Sequence, residues 1–148
     1  MGGLCRATRV LRLIILIPLT IAVLPSAGVA MEVSLACLFQ IITGTQQLMT
    51  LCGEPLDHST EVKYQELRAA LEKYINENAR MDAHRIGPDY DERRAPEVER
   101  NVREGFCNRL EYREFKAGLL RLLHSEQEVV AIGKRLETPG DPWKGDCL

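Results

Sequence analysis

Aromatic residues are scarce in this sequence: one tryptophan, four tyrosines and three phenylalanines make up 5% of its 148 residues. No segment alternates apolar and polar residues as a half-buried strand would, and no internal repeat or polar low-complexity run is present. The composition, 45% apolar and 27% charged, excludes collagen-like and wholly disordered chains. The length excludes a multidomain enzyme. We therefore expect one small domain with a modest core.

The sequence also lacks the motifs that carry common enzyme chemistry. It has no glycine-rich phosphate loop, no dinucleotide fingerprint, no G-x-S-x-G elbow and no H-E-x-x-H pair. It has no C-x-x-C pair, and its three histidines (His58, His84 and His124) are far from the cysteines in sequence. We therefore predict a non-enzymatic protein without catalytic residues, bound metal or cofactor.

Positive charge is not in excess either. The whole chain has a net charge of −2, but its first thirty residues contain three arginines and no acid, so residues 31–148 carry a net charge of −5. An acidic domain repels a phosphate backbone. The arginines between Arg80 and Arg103 are matched by aspartates and glutamates. We therefore predict that the protein does not bind nucleic acid.

An export signal is the clearest feature that the sequence does contain. Residues 1–12 are basic, residues 13–24 (LIILIPLTIAVL) are apolar, and residues 25–30 combine a proline with small side chains. These three parts occur in the order of a secretory signal peptide. The sequence therefore predicts cleavage after Ala30, or two or three residues earlier.

Three other interpretations of this segment remain open. The uncharged stretch over residues 13–31 approaches the length that spans a bilayer, although two prolines weaken it as a retained anchor. A lipoprotein would be acylated on Cys37, but Ser34 stands where that motif has an aliphatic residue. Translation from Met31 would leave a cytosolic protein. We favour the cleaved leader.

The four cysteines outside the leader predict a disulfide framework. An even number of cysteines in a short exported chain is typical of paired thiols. Cys37 and Cys52 would lie about 22 Å apart on one continuous helix, whereas a disulfide needs Cα atoms within roughly 7 Å. Two pairings remain: Cys37–Cys107 with Cys52–Cys147, which we favour, or Cys37–Cys147 with Cys52–Cys107.

Helical periodicity predicts an all-α fold, a small bundle of four to five helices stapled by two disulfides. The helical domain covers residues 31–137, with a loop or linker over 82–95 and an irregular tail over 138–148. The predicted helices are Glu32–Cys52, Ser59 or Thr60 to about Arg80, a helix from Pro96 with a bend or break at 110–114, and Ser125 to about Leu136.

Local signals set these boundaries. Gly53 and Pro55 are a typical stop for the first helix. Pro96 suits the first position of a helix. Ser125 and Glu128 have capping-box spacing. Four glycine and proline residues within ten exclude a helix in the tail, which we expect Cys147 to anchor and Trp143 to pack against the bundle.

Two polar clusters could support a small hydrolase or metal site. The first is His84 with Asp89 or Asp91. Carboxylates there could accept Ca²⁺, but the glycine and distal glutamate of an EF-hand are missing. We favour a solvated loop in which Arg93 and Arg94 pair with the local acids.

The second cluster is His124 with Glu128, four residues apart. One continuous helix would place both on one face. No third partner is evident, and the Ser125 cap between them breaks the alignment. We favour two surface residues.

The sequence thus favours an exported protein-binding module. Its design is similar to that of small periplasmic helical proteins such as acid-protective chaperones and immunity proteins. Fourteen arginines against five lysines are typical of GC-rich bacteria, which favours the periplasm over a membrane-anchored or secreted location. The expected partner is another exported protein, and membrane association is expected only if the leader is retained or Cys37 is acylated.

Overall fold

A computed structural model describes residues 33–145 and residue 147. Within these residues the chain forms α-helices and short 3-10 helices and no strand, which confirms the all-α class. The α-helices are α1 (Leu35–Leu51), α2 (His58–Asn78), α3 (Tyr90–Arg103), α4 (Leu110–His124) and α5 (Glu126–Leu136), and the 3-10 helices are Asp82–His84 and Phe106–Asn108. The predicted signal peptide, with its cut after Ala30, lies outside the described residues.

Helix α1 is the central element of the bundle and packs against α2, α3 and α4. The Ser34 side chain accepts the Cys37 backbone N–H at 3.1 Å and so caps the helix. Phe39 and Ile42 are fully buried. The predicted stop is confirmed: Gly53, with φ of 77°, takes the left-handed conformation that follows many helix ends.

The predicted cap of α2 is wrong by two or three residues. Asp57, not Ser59 or Thr60, caps the helix and accepts the backbone N–H groups of those two residues at 3.0 and 3.1 Å. The Thr60 and Ser59 hydroxyls also donate to this carboxylate, and these hydrogen bonds hold the pKa of Asp57 below its usual range. An aspartate outcompetes a hydroxyl here because its charge complements the helix dipole.

The predicted start of α3 is also wrong. The helix begins at Tyr90, so Pro96 lies in its interior and the predicted loop over 82–95 is shorter. Proline costs one backbone hydrogen bond there. A tertiary contact stabilises the extra turns, because Asp91 in the first turn forms a 2.6 Å ion pair with Arg68 of α2. Sequence signals around Pro96 contain no information about that contact.

The connections around α4 are close to those predicted. The chain breaks between Glu104 and Arg109, slightly before the predicted 110–114, at Gly105 with φ of 81°. The predicted cap of α5 is confirmed, since Ser125 Oγ accepts the Glu128 N–H at 3.3 Å.

The structure contains two disulfides, as predicted, but the favoured pairing of the four cysteines is wrong. The bonds join Cys37 to Cys147 and Cys52 to Cys107, with Cα–Cα distances of 5.6 and 5.7 Å. Cys52 ends α1 beside the second 3-10 helix, while the tail returns to the start of α1, where the Ala36 N–H donates to the Pro142 carbonyl at 2.9 Å. Disulfides persist in oxidising compartments outside the cytosol, and the pair indicates that the chain folds there.

The tail is held as predicted. The Tyr74 hydroxyl of α2 donates to the Thr138 carbonyl at 2.9 Å, and Trp143 packs partly buried against the core. Among residues 33–145 and 147, no helix combines the length and the apolar character that crossing a membrane requires.

Candidate functional site

The first predicted polar cluster is not assembled as a site. The His84 ring lies 5.2 Å from the Trp143 ring, centroid to centroid. Asp89 pairs with Arg93 at 3.1 Å, and Asp91 pairs with Arg68 of α2. The carboxylates are therefore committed to arginines, and in the described part of the chain no three histidine, cysteine or acidic side chains are placed to hold a metal ion.

The second cluster, His124 with Glu128, is divided as predicted. His124 ends α4 and Glu128 lies in the first turn of α5, with Ser125 capping the new helix between them. Both side chains are exposed. Glu128 is a surface residue at this helix junction, whereas His124 also lines the cleft between α2 and α5.

Cys37 is not a free thiol. Its Sγ is bonded to Cys147, and the residue is buried at the start of α1. The folded chain therefore does not offer this sulfur for acylation.

One polar cluster crosses the helices without forming a cleft. Glu54, after α1, accepts the Tyr112 hydroxyl at 2.5 Å and pairs with Lys116 at 2.8 Å. The bonds from Lys116 and Tyr112 lower the pKa of Glu54, while burial and the Glu54 contact raise the pKa of Tyr112. These shifts follow from an interaction that joins α1 to α4, and we assign the cluster a structural role.

An apolar cleft lies between α2 and α5; we call it the α2–α5 groove. Its volume is about 580 Å³. The apolar lining comes from three helices: Leu67 and Ala70 of α2, Leu123 of α4, and Ile132 and Leu136 of α5. A volume of this size falls within the range of protein ligand sites.

The edge of the groove exposes apolar side chains to solvent. Val129 is 40% and Val130 is 50% exposed, although both line the groove. Lys63, Glu66 and Glu126 also line it and place charges of both signs around the apolar surface. An apolar centre with a charged rim is the usual anatomy of a protein–protein contact.

Helical periodicity predicts a helix ending near Leu136, but it does not predict the groove. Ile132 alone is buried in that helix. The signal that was missed is the pair of adjacent valines, because Val129 and Val130 cannot both face the core with Ile132 on a helix of 3.6 residues per turn.

Comparison with known proteins gives no relative for this architecture: no protein-family model, no curated protein and no solved structure matches the chain.

Proposed function

We propose that this chain is an exported, non-enzymatic module of the bacterial periplasm that binds the apolar face of a helix in another exported protein. The observation that carries the proposal is the α2–α5 groove, with Val129 and Val130 exposed along its edge. An apolar helix face laid in a groove is a recurring mode of protein recognition.

The dimensions of the groove fit this occupant. Helix α5 has 11 residues and so extends about 16 Å, or three turns. A helix lying along it would present two or three apolar anchors spaced by three or four residues. The polar flanks of such a helix would meet Lys63 and Glu66 on the α2 wall and Glu126 on the α5 wall.

Export is the second part of the proposal and is supported by two features. The first thirty residues have the n-, h- and c-regions of a signal peptide, and the domain carries two disulfides. A periplasmic location accounts for both the leader and the disulfides, because disulfides form in the periplasm and a domain released from its leader remains there.

Site-directed photo-crosslinking tests the proposal. A photoreactive residue replaces Val130 in the groove or, as a control, Arg113, an exposed residue of α4 outside the groove. The protein is expressed with its own leader in its native cell. Intact mass before and after reduction should show a chain that starts at Met31 and contains two disulfides. We expect one discrete adduct from position 130 and none of that adduct from position 113.

A groove-filling variant makes the experiment specific. A Cβ added at Gly133 would meet nothing within 4 Å, so Gly133→Leu places a side chain in the groove without disturbing the core. This substitution should abolish the adduct from position 130. The same adduct from both positions, or an adduct that survives Gly133→Leu, would refute the groove as the binding site. A mass that includes residues 1–30 would refute cleavage.

A further inference from the structure

A second, smaller cavity is lined by arginines; we call it the arginine pocket. Its volume is about 250 Å³, and it lies where the segment before α3 meets the tail. Its cationic residues are Arg85, Arg93 and Arg94, and none of its described lining residues is acidic. A pocket of three guanidinium groups is unexpected in a domain whose net charge is negative.

Arg94 is the cation of this pocket that lacks a counter-charge. Arg93 pairs with Asp89 at 3.1 Å and Arg85 with Asp82 at 3.5 Å. Arg94, contrary to the sequence-based prediction, forms no ion pair with the carboxylates of the described chain. Its Nη1 donates instead to the Tyr90 hydroxyl at 2.9 Å and to the Gln40 carbonyl at 3.3 Å. A half-buried guanidinium with only neutral acceptors has lost hydration without gaining an opposite charge.

The pocket is held in shape by contacts from two other elements. Asn76 of α2 holds the segment before α3 through two hydrogen bonds. Its Oδ1 accepts the Ile86 N–H at 2.7 Å, and its Nδ2 donates to the Ile86 carbonyl at 3.1 Å. The Trp143 indole N–H donates to the His84 carbonyl at 3.3 Å. Ile86, Tyr90 and Trp143 all line the cavity, so its apolar and aromatic walls are fixed before any ligand arrives.

We propose that the arginine pocket binds the carboxylate of a small aromatic acid. Nη1 of Arg94 already donates to Tyr90 and Gln40, so a carboxylate would take its two hydrogen bonds from the Nε and Nη2 edge of the planar guanidinium. The aromatic walls of Tyr90 and Trp143 suit a flat apolar body. The cavity is smaller than the 300–1,000 Å³ typical of drug-sized ligands, which selects a one-ring acid.

Trp143 supplies the measurement because it is the only tryptophan in the chain and lines the pocket. Its fluorescence is titrated with benzoate, with benzamide as the neutral isostere and with inorganic phosphate, all at constant ionic strength. We expect saturation by benzoate with a Kd of about 1 mM, as suits a ligand of this size. Benzamide should bind at least about tenfold more weakly, because it forms no charge-assisted hydrogen bond. Phosphate should give no saturable change.

Paired substitutions on α3 locate the site. Arg94→Gln should weaken benzoate binding by about tenfold or more, whereas Arg103→Gln should leave it within about twofold. Arg103 is the matched control because it lies on the same helix, is exposed and pairs with Glu99. If Arg94→Gln does not fold, Arg94→Lys repeats the test. Lysine keeps the positive charge but lacks the planar guanidinium that can donate to both carboxylate oxygens.

Four results would overturn the proposal. One is the absence of a saturable response to benzoate in the unmodified chain. A second is equal binding of benzoate and benzamide, which would indicate a hydrophobic cavity only. A third is saturation by phosphate, which would indicate a general anion site. The fourth is unchanged benzoate binding in a folded Arg94→Gln or Arg94→Lys variant. None of these results depends on the α2–α5 groove.

Discussion

Helices α1 and α5 are both rich in apolar residues, yet the bundle uses them in opposite ways. Nine of the 17 residues of α1 are buried, and a disulfide is attached at each end. Only Ile132 is buried among the 11 residues of α5, and Val129 and Val130 face solvent. Helix α1 thus stabilises the domain, whereas α5 presents apolar surface that the fold itself does not need.

The difference shows how a domain of this size can keep an apolar groove without losing stability. Apolar surface that remains exposed contributes nothing to the free energy of folding and favours association. The two disulfides and the buried side chains of α1, α2 and α4 contribute stability that does not depend on the exposed face of α5.

Reduction of both disulfides should produce the largest loss of stability, because both bonds attach to α1. The cysteine pairs are separated by 110 and 55 residues, and in the chain-entropy model each bond contributes about 4 kcal/mol to the free energy of unfolding. The melting temperature should therefore fall steeply when the reduced thiols are alkylated. An unchanged melting curve, after mass spectrometry confirms four modified cysteines, would show that α1 does not depend on its two bonds.

Local signals were sufficient to predict the existence and the end of α1, although the helix begins at Leu35 and not at the predicted Glu32. Its apolar run, the Gly53 stop and the break before α2 are all properties of neighbouring residues. The same reasoning excluded a bond between Cys37 and Cys52, because helix length alone separates them. It could not select between the two remaining pairings, since that choice depends on which loop lies beside each end of α1.

Tertiary contacts explain the errors elsewhere. The start of α3 depends on the ion pair between Asp91 and Arg68 of α2, which no local pattern reveals. Arg94 has acidic neighbours in sequence but turns toward the Gln40 carbonyl of α1. The groove likewise results from how α5 is placed against α2. Periodicity identifies an apolar helix, but it does not determine how much of that helix its neighbours cover.

Truncation of one side chain in each helix should separate their roles. Phe39→Ala in α1 removes a fully buried ring and should cost about 3–5 kcal/mol of unfolding free energy. Val130→Ala in α5 shortens a half-exposed side chain and should change the unfolding free energy by no more than about 0.5 kcal/mol. Urea denaturation of both variants measures the contrast. If Val130→Ala lowered the unfolding free energy by more than about 2 kcal/mol, a loss typical of core truncations, α5 would be part of the core.

The smallest contrast between the two helices is expected at their mid-helix glycines. A Cβ at Gly133 of α5 would meet no atom within 4 Å, whereas one at Gly44 of α1 would lie 3.3 Å from Nη2 of Arg94. Alanine is more helix-favouring than glycine by about 0.8–1 kcal/mol, so Gly133→Ala should stabilise the domain by up to that amount. Gly44→Ala should gain less, because the guanidinium must move.

Gly118 provides the matched control for this comparison. It lies within α4, and a Cβ there would also meet nothing within 4 Å, so Gly118→Ala should stabilise the domain as Gly133→Ala does. Equal gains at Gly44, Gly118 and Gly133 in urea denaturation would show that α1 is packed no more tightly than α5 at these positions. A gain at Gly118 and Gly133 but not at Gly44 would instead locate the close packing on α1, where the Arg94 guanidinium lies against the helix backbone.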